Sequence, residues 1–277
     1  MKIAGVVVFY NPSDNNVSNI SNYLKSVDKL YVIDNSEDDI ARLSNTNKIE
    51  YIKLHENKGV AFALNEGAKL AIKNNYHYLL TLDQDSNINN DIISEMKNYL
   101  KLHKNDNIGL VSPYHDIGIP DDKSGEVEER LEVMTSGNII SLDAYQAVGG
   151  YKDWLFIDCV DYDFCMNLNC HGFKVIRLNN VIMKHELGNL TIHHFFGKSY
   201  PCFNYNHIRR YYMVRNNLYI RKLYSDKYPE YCNRLVRVQK GQAKRVLLFE
   251  KAKFKKLRFM YKGYRDFKKG IVGKIKI

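Results

Sequence analysis

The feature that most constrains this chain is an alternation of short apolar runs with helical stretches of roughly ten to fifteen residues. Residues 3–10 form a continuous apolar run that stops at Asn11-Pro12. A weakly amphipathic stretch over 17–26 follows, and residues 30–33 end in Asp34-Asn35-Ser36. Residues 49–54 are strand-like and 59–74 helical; 78–82 run into Asp83-Gln84-Asp85, and a helix over 91–103 leads into 108–112. Runs of this kind predict βαβ units and a mostly parallel sheet with flanking helices. In such sheets ligands gather at the carboxyl ends of the strands. Three of those ends carry polar clusters, at Tyr10-Asn11, Asp34-Asn35-Ser36 and Asp83-Gln84-Asp85.

Farther along, residues 126–142 favour strands, with a bend at Thr135-Ser136-Gly137-Asn138. Residues 145–150 read as a short helix ending in two glycines, which suit a helix terminus. A loop enters a helix over 158–171 that Gly172 stops, 175–181 form another strand, and 207–224 form a long helix with several exposed-looking arginines. The N-terminus begins like a signal peptide, but its apolar run is short and lacks a small-residue cleavage site, so a buried first strand is expected. No stretch approaches the roughly 20 apolar residues that span a bilayer. The 5 cysteines are odd in number and show no CxxC spacing, which argues against a disulfide framework and a four-thiolate zinc site and fits a reducing cytosol.

Charge is placed unevenly. Residues 234–277 hold 16 Lys or Arg against Glu250 and Asp266, a net of +14; with +10 for the whole chain, residues 1–233 sum to −4. Apolar residues interleave with that basic tail, at Val246 to Phe249, Phe254, Leu257, Phe259, Met260 and Tyr261. The pattern suits an interfacial helix pair on an anionic membrane, or a solvated basic helix docked on the body.

Chemistry points first to Asp83-Gln84-Asp85. Two carboxylates one residue apart past a strand can offer oxygens to a hard cation, Mg²⁺ or Mn²⁺, that bridges a nucleotide diphosphate. The succession VVVFYNP, VIDNS, HENKGVAFALNEG, YLLTLDQDS, TSGNIISLDAYQAVGGY and LFIDCVDYDFC resembles family 2 glycosyltransferases of the GT-A fold, nearest to bacterial rhamnosyltransferases. The resemblance covers roughly residues 3–220.

It implies roles. Tyr10, Asn11, Asp34, Asn57, Lys58, Gly59, Asn65, Asp83 and Gln84 would bind the nucleotide sugar, with Asp34 on the base or ribose. The helix after Gly59 would turn its N-terminus to the donor phosphates. Asp83 and Asp85, with His185, would hold the metal; His193 and His194 have weaker claims. Asp161 would be the base that deprotonates the acceptor hydroxyl. The family's acidic pair reads Val160-Asp161 here, a departure that leaves Asp158 and Asp163 as rivals. Trp154, Asp158, Arg209, Arg210 and Arg215 would meet the acceptor or the leaving diphosphate.

The expectation is therefore a GT-A catalytic domain over 1–220 and a basic amphipathic helical extension over 221–277. The resemblance implies an inverting, metal-dependent transfer, with dTDP-rhamnose as donor and a UDP-hexose as the alternative. The acceptor would be a cell-surface polysaccharide or lipid-linked glycan. The protein would sit peripherally on the inner face of the bacterial plasma membrane, with oligomeric state open, a homodimer included. Two readings from other classes compete. A nucleotidyltransferase would want a Gly-rich basic loop after the first strand, where Tyr10-Asn11-Pro12 stands. A nucleic-acid-binding protein fits the tail but not the mildly acidic body.

Overall fold

The computed structural model describes residues 1–38, 43–119, 123–185, 188–195 and 197–276. In chain order the elements are β1 (Ile3–Phe9), α1 (Asp14–Asn19), β2 (Lys29–Asp34), β3 (Ile49–Lys53), α2 (Val60–Lys73), β4 (Tyr78–Asp83), α3 (Asn90–Leu102), β5 (Ile108–Asp116), β6 (Val127–Glu129) and β7 (Asn138–Ser141). They continue with α4 (Leu142–Ala147), α5 (Val160–Cys170), β8 (Lys174–Lys184), β9 (Thr191–Phe195), β10 (Lys198–Cys202), α6 (His207–Tyr224), α7 (Pro229–Phe249) and α8 (Lys253–Lys268). Contacts divide the chain into two compact units: 1–156 with 160–185, and 157–159 with 186–277. The spatial division thus falls after His185, ahead of the charge change at Arg234.

In the first unit eight strands form one sheet in the order β3-β2-β1-β4-β7-β5-β8-β6. β3, β2, β1 and β4 are mutually parallel, as are β5 and β8, while β7 runs antiparallel between β4 and β5. This is the expected α/β class. The chain steps outward from β1 through β2 to β3, then returns to the other side of β1 with β4. The carboxyl ends of β1 and β4 therefore form the switch point where open α/β sheets bind ligands.

β1 shows why a continuous apolar run is needed there. Its side chains alternate, Val6 and Val8 packing with Tyr31, Ile33, Ala61 and Leu64, and Val7 and Phe9 packing with Tyr23, Val32, Leu82, Ile93 and Met96. A strand covered by helices on both faces has no solvent side and reads as unbroken hydrophobe. Two helices start earlier than their apolar pattern suggests. Ser13 caps α1 with a reciprocal bond to Asn16, and Ser141 caps α4 through Ala144 N–H.

The second unit contains the antiparallel β9–β10 hairpin and three helices. α6 and α8 pack so closely that a Cβ on Gly263 would sit 2.5 Å from the Tyr211 carbonyl oxygen. Among the described residues, no helix is long and apolar enough to cross a membrane.

Candidate active site

Register brings the three polar clusters to one level: Phe9 pairs with Asp34, Val8 with Asp83, and Asp34 with Lys53. Cross-bonds then stitch the strand ends together. Tyr10 N–H donates to Gln84 Oε1 at 2.8 Å, and Asn11 N–H, on a residue with φ 48°, donates to Ser36 Oγ at 2.8 Å. Asn16 Nδ2 donates to the Gln84 carbonyl at 3.2 Å. The Gln84 side chain accordingly spaces the two turns, while Tyr10 is left exposed.

Asp34, expected to face the nucleoside, is fully buried instead. One oxygen accepts from Ser36 N–H at 2.8 Å and from its hydroxyl; the other accepts from Tyr51 Oη at 2.6 Å and lies 3.6 Å from Lys53 Nζ. A carboxylate with both oxygens engaged inside the protein shapes the turn rather than greeting a ligand.

Asn57, half-buried, closes a local turn, its Oδ1 accepting Gly59 N–H at 3.0 Å. Asn35, the middle residue of the Asp34-Asn35-Ser36 cluster, clamps the same loop: its Nδ2 donates to Gly59 O at 3.0 Å and its Oδ1 accepts Lys58 N–H at 3.1 Å. Gly59 stands at φ 93°, and a Cβ there would lie 2.6 Å from the Phe156 carbonyl oxygen. That carbonyl takes Val60 N–H at 2.7 Å, so the first donor of α2 is spent on protein and not open to a phosphate. Lys58 Nζ remains at the surface, 3.1 Å from Glu56.

Asn65, expected at the nucleotide sugar, is bonded within the protein. It donates to Tyr151 O (2.8 Å) and Asp153 Oδ1 (2.5 Å) and accepts from Tyr145 Oη (2.5 Å) and Tyr151 N–H (3.0 Å). This buried amide has its capacity filled by α4 and the residues after it, so it is a structural clamp.

At the end of β4, Asp83 N–H donates to Ser86 Oγ at 2.9 Å and to Ser136 Oγ at 3.4 Å, and the two hydroxyls bond each other. Ser136 O in turn accepts from His115 Nε2–H at 2.6 Å, and the His115 ring meets His185 edge-on at 5.7 Å. Burial, as the largest cause, pushes His115 down to about 4, keeping the ring neutral with its proton on Nε2. His115 links the Asp83 turn to His185; its only sequence signal was its place at the end of β5.

Among the described residues no group of three or more His, Cys, Asp or Glu side chains is assembled as a metal cage, so His185 does not join Asp83 and Asp85 in one cluster. The carboxylates nevertheless suit a hard cation: Asp85 is exposed and has no hydrogen bond or ion pair within the described residues. Mg²⁺ characteristically takes one or two carboxylates and leaves its remaining positions to water and phosphate oxygens.

The three acids near the start of α5 separate cleanly. Asp163 is completely buried and 2.6 Å from Lys152 Nζ. Asp158, with 12% of its side chain exposed, is paired to Arg209 at 3.1 Å. Burial raises its carboxyl above the ordinary range, with Arg209 pulling the other way. Asp161 is half-buried at the first turn of α5. The buried Tyr151 hydroxyl feels Asp161 and Asp83 together. Burial is the main reason its pKa is raised, and charges that include these two carboxylates add to it. Trp154, half-buried beside them in sequence, packs against the apolar core.

The arginines of α6 are not the exposed row that the sequence suggested. Arg210 and Arg215 are 3% and 0% exposed. Arg210 pairs with Glu250, while Arg215 donates to Gly273 O at 2.6 Å and to Asn216 Oδ1 at 2.9 Å. Both are held by internal partners and do not face solvent, contrary to the expectation of acceptor contacts. Arg209 alone of the three is well exposed, lying 4.3 Å over the Tyr205 ring. Around Asp158 the backbone of Phe156, Asp158 and Cys159 is left-handed, at φ 68°, 62° and 63°. Asn216 Nδ2 secures the segment by donating to Ile157 O and Asp158 O at 2.7 and 2.9 Å. His193 stacks on Phe249 at 5.0 Å and His194 meets Ser199 at 3.1 Å, both within the second unit.

Residues 6–151 match the family model described as Glycosyl transferase family 2. The chain belongs to family 2 of the glycosyltransferases. It is a transferase that moves a sugar from a nucleotide-sugar donor. It is 27% identical over 236 residues to dTDP-rhamnosyl transferase RfbF of Shigella flexneri, covering 77% of this chain and 78% of that one. The transferase also resembles solved structures of the GT-A fold. GalNAc-T7 with UDP, GalNAc and Mn²⁺ superposes at a TM-score of 0.58 with 12% identity, over 98% of this chain and 56% of the longer one. The transferase thus spans little more than half the length of that relative. Residues 1–349 of S. aureus TarS with UDP-GlcNAc superpose at 0.58 with 14% identity, over 98% of this chain and 82% of TarS.

Proposed function

We propose that this transferase moves rhamnose from dTDP-rhamnose, with inversion at the anomeric carbon, onto a cell-surface polysaccharide or lipid-linked glycan. The mechanistic reading is carried by Asp161. Of the three acids near α5, Asp163 is buried against Lys152 and Asp158 is paired with Arg209, whereas Asp161 keeps partial exposure at the first turn of α5. Asp161 would accept the proton of the acceptor hydroxyl as that oxygen attacks the anomeric carbon, opposite the departing nucleoside diphosphate. Asp83 and Asp85 would hold Mg²⁺ or Mn²⁺, which when bound supplies Lewis-acid stabilisation of charge on the leaving diphosphate.

Asp34, Asn35 and Asn65 serve by rigidity. Fixing the loops at the ends of β2 and α2 means that less order must be imposed when donor binds. The choice of dTDP-rhamnose is supported by the similarity to the Shigella enzyme.

The test is nucleoside diphosphate release from dTDP-rhamnose, UDP-glucose, UDP-galactose and UDP-GlcNAc, with Mn²⁺ or Mg²⁺ and after EDTA. Turnover of dTDP-rhamnose that EDTA and Asp85→Ala abolish is the expected result. Turnover of a UDP-sugar in its place would remove rhamnose, and turnover that survives EDTA would remove the metal.

A further inference from the structure

α8 has two opposed faces. Lys256, Gly263 and Asp266 are buried, with Gly263 pressed against α6 and Asp266 accepting from Tyr211 Oη at 3.0 Å. On the other face Phe254, Arg258, Tyr261, Lys262 and Arg265 fall at helical spacings of three and four. Phe254 is 80% exposed and Tyr261 66%, high values for aromatic side chains on a helix with a packed partner. Arg258, Phe259, Tyr261, Lys262 and Arg265 also line a cavity of about 460 Å³, which Lys276 completes from the segment after α8.

Four cations, Arg258, Lys262, Arg265 and Lys276, share the cavity with the rings of Phe259 and Tyr261, and among the described residues Asp266 is the acid paired with two of them. Asp266 lies 3.0 Å from Lys262 and 3.9 Å from Arg265. Within the described residues Arg258 and Lys276 have no hydrogen bond or ion pair. Four like charges sharing one counter-charge repel, and an anion relieves that repulsion. A small soluble anion would use the cations but would gain nothing from Phe254 and Tyr261. The same unit also exposes Leu247, Leu248, Ile271 and Val272, at 49%, 58%, 42% and 45%. Cations beside exposed apolar and aromatic side chains match the boundary of a bilayer, where phosphates lie above acyl chains.

We propose that this face of α8, together with Lys276, is a docking surface for an anionic phospholipid bilayer, with a lipid phosphate seated in the Arg258–Lys276 cavity. The proposal rests on charge and exposed area alone and does not depend on which sugar is transferred.

The experiment is sedimentation of the full chain with vesicles of phosphatidylcholine containing about 30% phosphatidylglycerol, or of phosphatidylcholine alone, at about 0.1 M salt. Expected are binding to the mixed vesicles, little to the neutral ones, and a drop in partition of about tenfold or more in the double variant Arg258→Gln/Lys276→Gln. These side chains hold no other group, so the variant should keep its thermal midpoint. The variant Lys101→Gln/Lys104→Gln removes the same charge from the exposed end of α3 and should bind as the parent does. Four results would each overturn the proposal: equal binding to neutral vesicles; unchanged binding by the Arg258/Lys276 variant; equal loss in the Lys101/Lys104 variant; or displacement by about 10 mM inorganic phosphate at constant ionic strength, which would mark a small-anion site.

Discussion

The two units bury polar groups in different places. In the sheet unit the packed faces are apolar, and buried polar side chains such as Asp34, Ser86, Ser136 and Asn65 sit at strand ends and loop crossings, where they hold turns, while the buried Arg177–Glu128 pair joins β8 to the edge strand β6. In the helical unit, buried ionic groups stand inside the packing itself: Arg210 and Lys256 converge on Glu250, and Arg215 lies between Gly273 and the rings of Tyr211 and Tyr212. A strand pair satisfies its backbone internally and can be flanked by hydrophobe. Helices this rich in Lys and Arg have too little apolar surface, so some cations must be buried with a counter-charge. In both units burial decides which acids and cations are committed to internal pairs and which stay open to solvent.

The comparison would be tested hardest at Asp161. Asp161→Asn should lower sugar transfer by about two to four orders of magnitude, the range for loss of a general base, with an unchanged unfolding midpoint. If Asp158→Asn or Asp163→Asn gave the larger loss without destabilisation, burial would be a poor guide to the base.

Next comes Glu250→Ala, which strands Arg210 and Lys256 in the helical unit. A cost of about 3–5 kcal/mol is expected by denaturant unfolding. A cost under about 1 kcal/mol would mean that water reaches the trio.

His115 sharpens the contrast through pH. Its folded pKa of about 4 lies below the ordinary value, so the unfolded chain binds the extra proton. Its contribution is complete above about pH 6.5 and lost as pH falls toward 4, by about 3 kcal/mol in all. His115→Gln should flatten that part of the stability profile, and an unchanged slope would remove the buried neutral imidazole.

The smallest expected effect is at Asn65. Asn65→Ala should cost about 1–3 kcal/mol by leaving the Tyr145 hydroxyl and the Tyr151 amide unpaired. Loss of donor affinity with no loss of stability would restore the ligand-binding role that the geometry removes.

By itself the sequence determined the α/β class, the order of segments, the acidic triplet past β4 and the family. These follow from periodicity and from short motifs, which are local. It could not determine which polar residues at a strand end face outward. Asp34 and Asp83 end neighbouring parallel strands, and both look like ligands in one dimension. Only the tertiary structure brings Tyr51 and Lys53 from β3 onto Asp34 and so turns that carboxylate inward. Arg209, Arg210 and Arg215 share one helix, and only the arrival of α7 and α8 decides which are buried. Burial is set by partners distant in sequence, and those partners decided which acids and arginines stay open to solvent.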